Sequence, residues 1–226
     1  AQAQAQIIER FGRSPSYVVS CAGVAPAGSL LTSPVKMFTR AFDINAAANV
    51  VLAQAFLPAM ISNNHGHFMT VASSASYFSL PNLCAYSMSK TAALAFLESL
   101  RAELRAVYKA CRVRTSVVTP TKVRTVLAEG LNEGDDDFLM PVLEPIQVAR
   151  AMADTLNSGL SRNISLPLGS ALLPYLRALP EWYRGALRAM GNTDALVTPE
   201  SISRGQQALR GHQSNLDHMK KLGVHS

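Results

Sequence analysis

Cysteine is nearly absent from this chain. Its three, Cys21, Cys84 and Cys111, are odd in number and widely separated. That excludes a disulfide framework and any thiol-based metal spacing, and it fits a reducing compartment or a cytosol-facing surface. Charged residues are also few, 16% of 226, against 48% apolar. The composition suits one domain with a substantial core. A disordered or polyelectrolyte chain is excluded. The formal net charge is +6, but no stripe of interleaved basic and aromatic residues accompanies it, so no nucleic-acid partner is expected. No secretory leader is recognised and no uninterrupted run of 18 apolar residues occurs, so no membrane-crossing segment is expected. The single sequon, Asn163-Ile-Ser165, falls in an expected strand and reads as chance. His65 and His67 flank Gly66 with no carboxylate or thiol cluster, and read as turn and surface residues rather than a metal site.

The informative stretch runs from Gly66 to Ala95, GHFMTVASSASYFSLPNLCAYSMSKTAALA. Its pattern predicts a buried strand over His67–Val71, a serine-rich turn, and a helix from about Ala85 to Tyr108. Tyr86 and Lys90 are four residues apart, one turn along one helix face. Ser73 precedes Tyr86 by thirteen positions and falls at the carboxyl end of the strand. Active sites of open α/β sheets gather along that edge. A phenol with a reference pKa of about 10 is a poor acid or base at neutral pH. A lysine ammonium one turn away is expected to lower that pKa, and a serine hydroxyl can hold a substrate oxygen against the phenol. Such a trio moves a proton on or off a carbonyl or alcohol oxygen. A Tyr-x-x-x-Lys pair alone is weak evidence; the strand and the Ser73 spacing strengthen it.

This stretch resembles the active-site segment of the short-chain dehydrogenase/reductase family. VASSASY, PNLCAYSMSK and LRALPEWY are similar to its membrane-associated branch of retinol and hydroxysteroid dehydrogenases, in particular the fungal members. The resemblance spans about Tyr17 to Met190. It implies a Rossmann-like, doubly wound parallel sheet, an α/β fold. It also implies catalytic roles for Ser73, Tyr86, Lys90 and Asn45, with Asn45 holding a water that relays protons from the lysine. The implied cofactor, NADP or NAD, is bound by Cys21, Ala22, Gly23, Asn45, Tyr86, Lys90, Pro120, Val123 and Thr125. Ser20 and Cys21 stand where the family has two asparagines, and Thr121 replaces a glycine, a cost if the backbone there has positive φ. The family's first strand and its GxxxGxG turn precede the position of Tyr17, and no such pattern occurs here. The expectation is therefore a sheet lacking its N-terminal βα units, with a strand edge exposed.

Around that segment, Ile7, Ile8 and Phe11 predict a short helix ending at Gly12, and Tyr17–Ser20 a strand. Ser33 is expected to cap a helix with Pro34 at its first position, and an Ala-rich helix to reach about Ser62. Val113–Thr119 reads as a strand, residues 126–140 as an acidic, irregular loop where the resemblance implies a substrate lid, Pro145 to about Leu156 as a helix, and Ile164–Pro167 as the last strand. Residues 1–191 form the expected domain and 192–226 a polar tail. Leu172–Met190, with two prolines, aromatic residues and three arginines, is expected to form a bent interfacial or cap segment. The reading is an NAD(P)-dependent oxidoreductase acting on a small lipophilic alcohol or its ketone or aldehyde, with a 3-ketosphinganine-type ketone as an alternative substrate. The expected setting is the cytoplasmic face of the endoplasmic reticulum or a lipid droplet, with peripheral membrane contact and a homodimer. The competing reading is a non-catalytic interaction module.

Overall fold

The computed structural model describes residues 2–128, 141–190, 197–198, 200 and 202–203. Four parallel strands lie in sequence order: β1 (Tyr17–Ser20), β2 (Gly66–Val71), β3 (Val113–Pro120) and β4 (Asn163–Leu166). Phe68 is opposite Val18 on one side and Thr115 on the other. Val118 is opposite Ile164. Every crossover is helical, which parallel pairing requires.

Side chains along a strand alternate between faces, and here they feed two cores. Val18, Phe68, Val113 and Val117 meet helices α3 (Ala48–Ser62) and α4 (Cys84–Ala106) through Phe56, Leu57, Met60, Leu94, Leu97, Leu100 and Leu104. Met69 and Val118 point the other way and meet Val148, Met152 and Leu156 of α5 (Pro145–Ser158). Helices therefore cover both faces, as the resemblance implies for a doubly wound sheet. The short helix α1 (Gln2–Phe11) joins the first core through Ile7. Gly66 opens β2 at φ 152°, and a Cβ there would lie 2.6 Å from Met60 Cγ, so the turn from α3 into the sheet admits only glycine.

Two expectations change and one condition is settled. Helix α2 (Val35–Phe42) begins one residue later than expected, with Pro34 rather than Ser33 as its cap residue. His67 is a core residue, 1% exposed, because β2 is central and covered on both faces. Its Nε2 lies 2.9 Å from Ser116 Oγ, and burial holds its pKa down at about 4. The Arg114 charge is the smaller cause of that depression. Thr121 is not among the residues with positive φ, so replacing glycine there costs no backbone strain.

Helices α2 and α3 are continuous through a π turn at Asp43–Ala47, in which the Ala48 N–H reaches back five residues to Asp43 O. The combined helix, Val35–Ser62, is long and apolar enough to cross a bilayer by length and composition. Its buried Asn45 and Asn49 and its packing on the sheet identify it instead as a core helix. Glu144 and Gln147 cap α5 reciprocally. The C-terminal segment is bent, as its prolines predict: a 3-10 turn at Leu168–Leu172, then α6 (Leu173–Leu176), then α7 (Glu181–Met190). Most of the expected lid, 129–140, and of the polar tail lies outside the described residues. Among the described residues, β1 has no partner on its outer edge, where Tyr17 and Val19 are exposed.

Candidate active site

The carboxyl ends of β1 and β2, the π turn and the first turns of α4 converge. Ser73 follows β2 and caps a 3-10 turn (Ser74–Ser76), accepting the Ala75 N–H at 3.2 Å. Its hydroxyl also lies beside the Tyr86 phenol and favours the ionised form. Burial pushes the phenol above the ordinary tyrosine pKa, and the neighbouring Ser73 hydroxyl is the smaller, opposing effect. This differs from the sequence expectation, in which Lys90 lowers that pKa. The reason is positional: Lys90 Nζ sits 6.0 Å from the Tyr86 ring centroid and donates to the Val71 carbonyl at 2.8 Å.

Lys90 is 4% exposed, and no carboxylate lies within ion-pair distance among the described residues. Desolvation of an unpaired ammonium lowers its pKa to about 8, and the nearby Cys21 thiol pulls slightly upward. Asn45 supplies the wall beside it. Its Oδ1 accepts the Val24 N–H at 2.8 Å; its Nδ2 donates to Val24 O and to Ser89 Oγ, both at 2.8 Å. Ser89 Oγ donates in turn to the Tyr86 carbonyl at 2.7 Å. Gly23 lies between the two groups. A Cβ there would be 3.2 Å from Asn45 Oδ1 and 3.3 Å from Lys90 Nζ.

Ser73, Tyr86, Lys90, Asn45 and Gly23 are thus gathered into one site. Cys21 is exposed just before Ala22 and Gly23. Pro120 ends β3 beside the end of β2, where the Ala72 N–H bonds Val118 O at 2.8 Å. Val123 bridges to Leu143, and exposed Thr125 donates to Val123 O at 3.3 Å. These residues line the same sheet edge and, among the described residues, make no direct hydrogen bond to the Tyr86 or Lys90 side chain. Ser89, Val24 and the Val71 carbonyl are site members the sequence did not suggest. Two of them act through main-chain atoms, which leave no mark on residue type, and Ser89 is one of many small helix residues. Helix α7 also lies over the loop after Ser73: the Arg188 guanidinium stacks 4.9 Å above Phe78. Nearby, Asn82 Nδ2 donates to Val197 O at 2.9 Å.

A nicotinamide dinucleotide fits these residues. Glycine at position 23 keeps the space beside Lys90 open, and the buried Thr121 hydroxyl, at the start of the Val123–Thr125 loop, has no partner among the described residues. Both are features of a site built for a polar group supplied from outside.

Comparison with known proteins agrees. Over 175 residues the chain is 37% identical to estradiol 17-beta-dehydrogenase 11 of Pongo abelii, covering 76% of this chain and 56% of that protein. Over 141 residues it is 35% identical to epidermal retinol dehydrogenase 2 of Mus musculus, covering 62% and 45%. Over 103 residues it is 43% identical to dehydrogenase RED3 of Cochliobolus heterostrophus, covering 46% and 53%. The chain therefore spans about half the length of the curated relatives it matches. Among solved structures, acetoin dehydrogenase from Salmonella typhimurium superposes with a TM-score of 0.61 at 19% identity, covering 76% of this chain and 70% of that one. An alcohol dehydrogenase from Thermococcus sibiricus, complexed with 5-hydroxy-NADP, gives 0.60 at 20%, covering 73% and 67%. These two likenesses concern the fold. The family model for short chain dehydrogenases matches residues 1–136, and the chain belongs to the short-chain dehydrogenase family.

Proposed function

We propose that this chain carries the catalytic apparatus of an NAD(P)-dependent oxidoreductase that interconverts a small lipophilic alcohol and its ketone or aldehyde. The observation that carries the reading is the Tyr86 phenol beside Ser73, one helical turn from a buried Lys90 that has no carboxylate partner among the described residues. Ser73 holds the substrate oxygen. Tyr86 gives a proton to that oxygen in reduction and removes it in oxidation. Lys90, with a pKa near 8, exchanges protons close to neutrality and is the residue to hold the ribose of the dinucleotide, beside Asn45 and Gly23. Val123 and Thr125 are the residues to meet the nicotinamide end. The bound nicotinamide supplies or accepts the hydride.

The names of the relatives, estradiol and retinol dehydrogenases, support a steroid- or retinoid-sized apolar substrate, with a 3-ketosphinganine-type lipid as the alternative. Exposed Leu168, Leu172, Tyr175 and Trp182 beside Arg177 support peripheral contact with a membrane, on the cytoplasmic face of the endoplasmic reticulum or a lipid droplet. Exposed Phe42, Val51 and Met88 on the helices flanking the site support a homodimer. The competing reading, a non-catalytic interaction module, is favoured by Cys21, a thiol where the resembled pattern has an amide.

The deciding test is a fluorescence titration of the purified chain with NADPH and NADH. Micromolar binding of either, weakened in Lys90→Met, supports the enzyme. Absence of binding that is restored when a strand with a GxxxGxG turn is joined ahead of Tyr17 also supports the enzyme; absence that persists with that segment favours the interaction module.

A further inference from the structure

We propose that Asn49, braced by Thr70, is a positioning residue that holds the π turn open and so fixes Asn45 between Val24 and Ser89. The proposal rests on the reading of Asn45, Tyr86 and Lys90 as one site. Its test is made without cofactor or substrate, so its outcome is separate from the fate of that reading.

A carboxamide offers two N–H donors and one acceptor oxygen, and Asn49 uses all of them inside the core. Its Nδ2 donates to Asn45 O at 2.9 Å and to Ala46 O at 3.2 Å, the carbonyls at the downstream end of the widened turn. Its Oδ1 accepts from the Thr70 hydroxyl at 3.1 Å. Asn49 is 2% exposed and Thr70 1%. The amide orientation follows from these partners, because the flipped form sets Oδ1 against two carbonyl oxygens. The turn is thereby tied to β2, the strand whose end carries both the Val71 carbonyl that holds Lys90 and the Ser73 loop.

The π turn needs such a tie. It inserts one residue into the helix, which rotates every upstream side chain by about 100° relative to those downstream. With the insertion, Ala53, Phe56, Leu57 and Met60 seat on the sheet while Asn45 still faces Val24 and Ser89. Relaxation to regular α-helix keeps the core and withdraws Asn45. Among the described residues Asn45 alone bonds both the Val24 main chain and Ser89, so its withdrawal opens one wall of the space around Lys90. The other groups facing the amine stay in place: the Val71 carbonyl, the Tyr86 ring and the Cys21 thiol.

The experiment compares wild type, Asn49→Ala, Thr70→Val, Thr70→Ser and the core control Leu104→Ala. Two quantities are read: NMR titration of the Lys90 side chain, assigned with Lys90→Arg, and amide exchange at Val24. Asn49→Ala is expected to move the Lys90 midpoint from about 8 toward 10.5 and to speed Val24 exchange by about tenfold. Thr70→Val is expected to move both in the same direction by less, and Thr70→Ser to restore wild-type values. Leu104→Ala is expected to lower stability and leave the Lys90 midpoint in place. If Asn49→Ala does not fold, the two Thr70 variants decide the matter. An unchanged Lys90 midpoint in Asn49→Ala, or in Thr70→Val where only that variant folds, overturns the proposal. So does an equal shift in Leu104→Ala.

Discussion

The two faces of the sheet are built unequally. The α3/α4 face has a core of large side chains, and all four catalytic candidates lie on elements of that side: Asn45 in the π turn, Ser73 at the end of β2, Tyr86 and Lys90 on α4. The α5 face has a small cluster around Met69 and Val118, and toward β1 it leaves Tyr17 and Val19 exposed. Its contribution to the site is the Val123–Leu143 bridge. Buried polar contacts hold their geometry where packing is dense and water is excluded, so the groups needing fixed positions sit on the heavy face.

Substitutions can break this comparison. Tyr86→Phe keeps the ring and removes the proton. Its turnover is expected to fall by about 10²–10⁴-fold with the melting temperature little changed, measured by nicotinamide absorbance and calorimetry. Retained turnover removes Tyr86 from the mechanism. Phe68→Ala, on the heavy face and on the strand that carries Thr70 and the Val71 carbonyl, is expected to cost about 3–5 kcal/mol in urea unfolding and, unlike the remote Leu104→Ala, to disturb the Lys90 titration. Val148→Ala, on the light face, is expected to cost about 2 kcal/mol and leave that titration alone.

His67 sharpens the comparison by pH. Its folded pKa, about 4, lies below the ordinary 6.5, so the unfolded chain binds the proton more readily. Its contribution to stability is complete above pH 6.5, declines as pH falls and is lost by about pH 4. Urea midpoints measured across that window should show this slope, and His67→Leu should flatten it. The smallest effect belongs to Arg124, whose pair with Glu144 at 2.8 Å is more than half exposed on both sides. Arg124→Ala is expected to change stability by less than about 1 kcal/mol, within the scatter of a thermal melt.

The exposed pair and the buried histidine also show how far the sequence could be read. Apolar runs at Val113–Thr119 and His67–Val71 marked strands because a parallel sheet buries both faces. That rule also makes His67 a core residue, but the glycine beside it suggested a turn and a surface histidine. Tyr86, Lys90 and Ser73 were legible because their spacing is local. The bonding of Asn45 was not, since its partner Val24 lies 21 residues away and Ser89 lies 44.

The sequence by itself determined which elements form, where the tyrosine, lysine and serine stand on them, and that the segment after Leu172 bends. Those are consequences of periodicity and of proline's missing N–H, which act over a few residues. The tertiary structure alone decided that Lys90 is dry and turned to Val71, that burial raises the Tyr86 pKa, and that Asn49 reaches back to the π turn from a brace on β2. Each depends on how much water the neighbouring elements exclude and on contacts between distant residues, neither of which is written in local spacing.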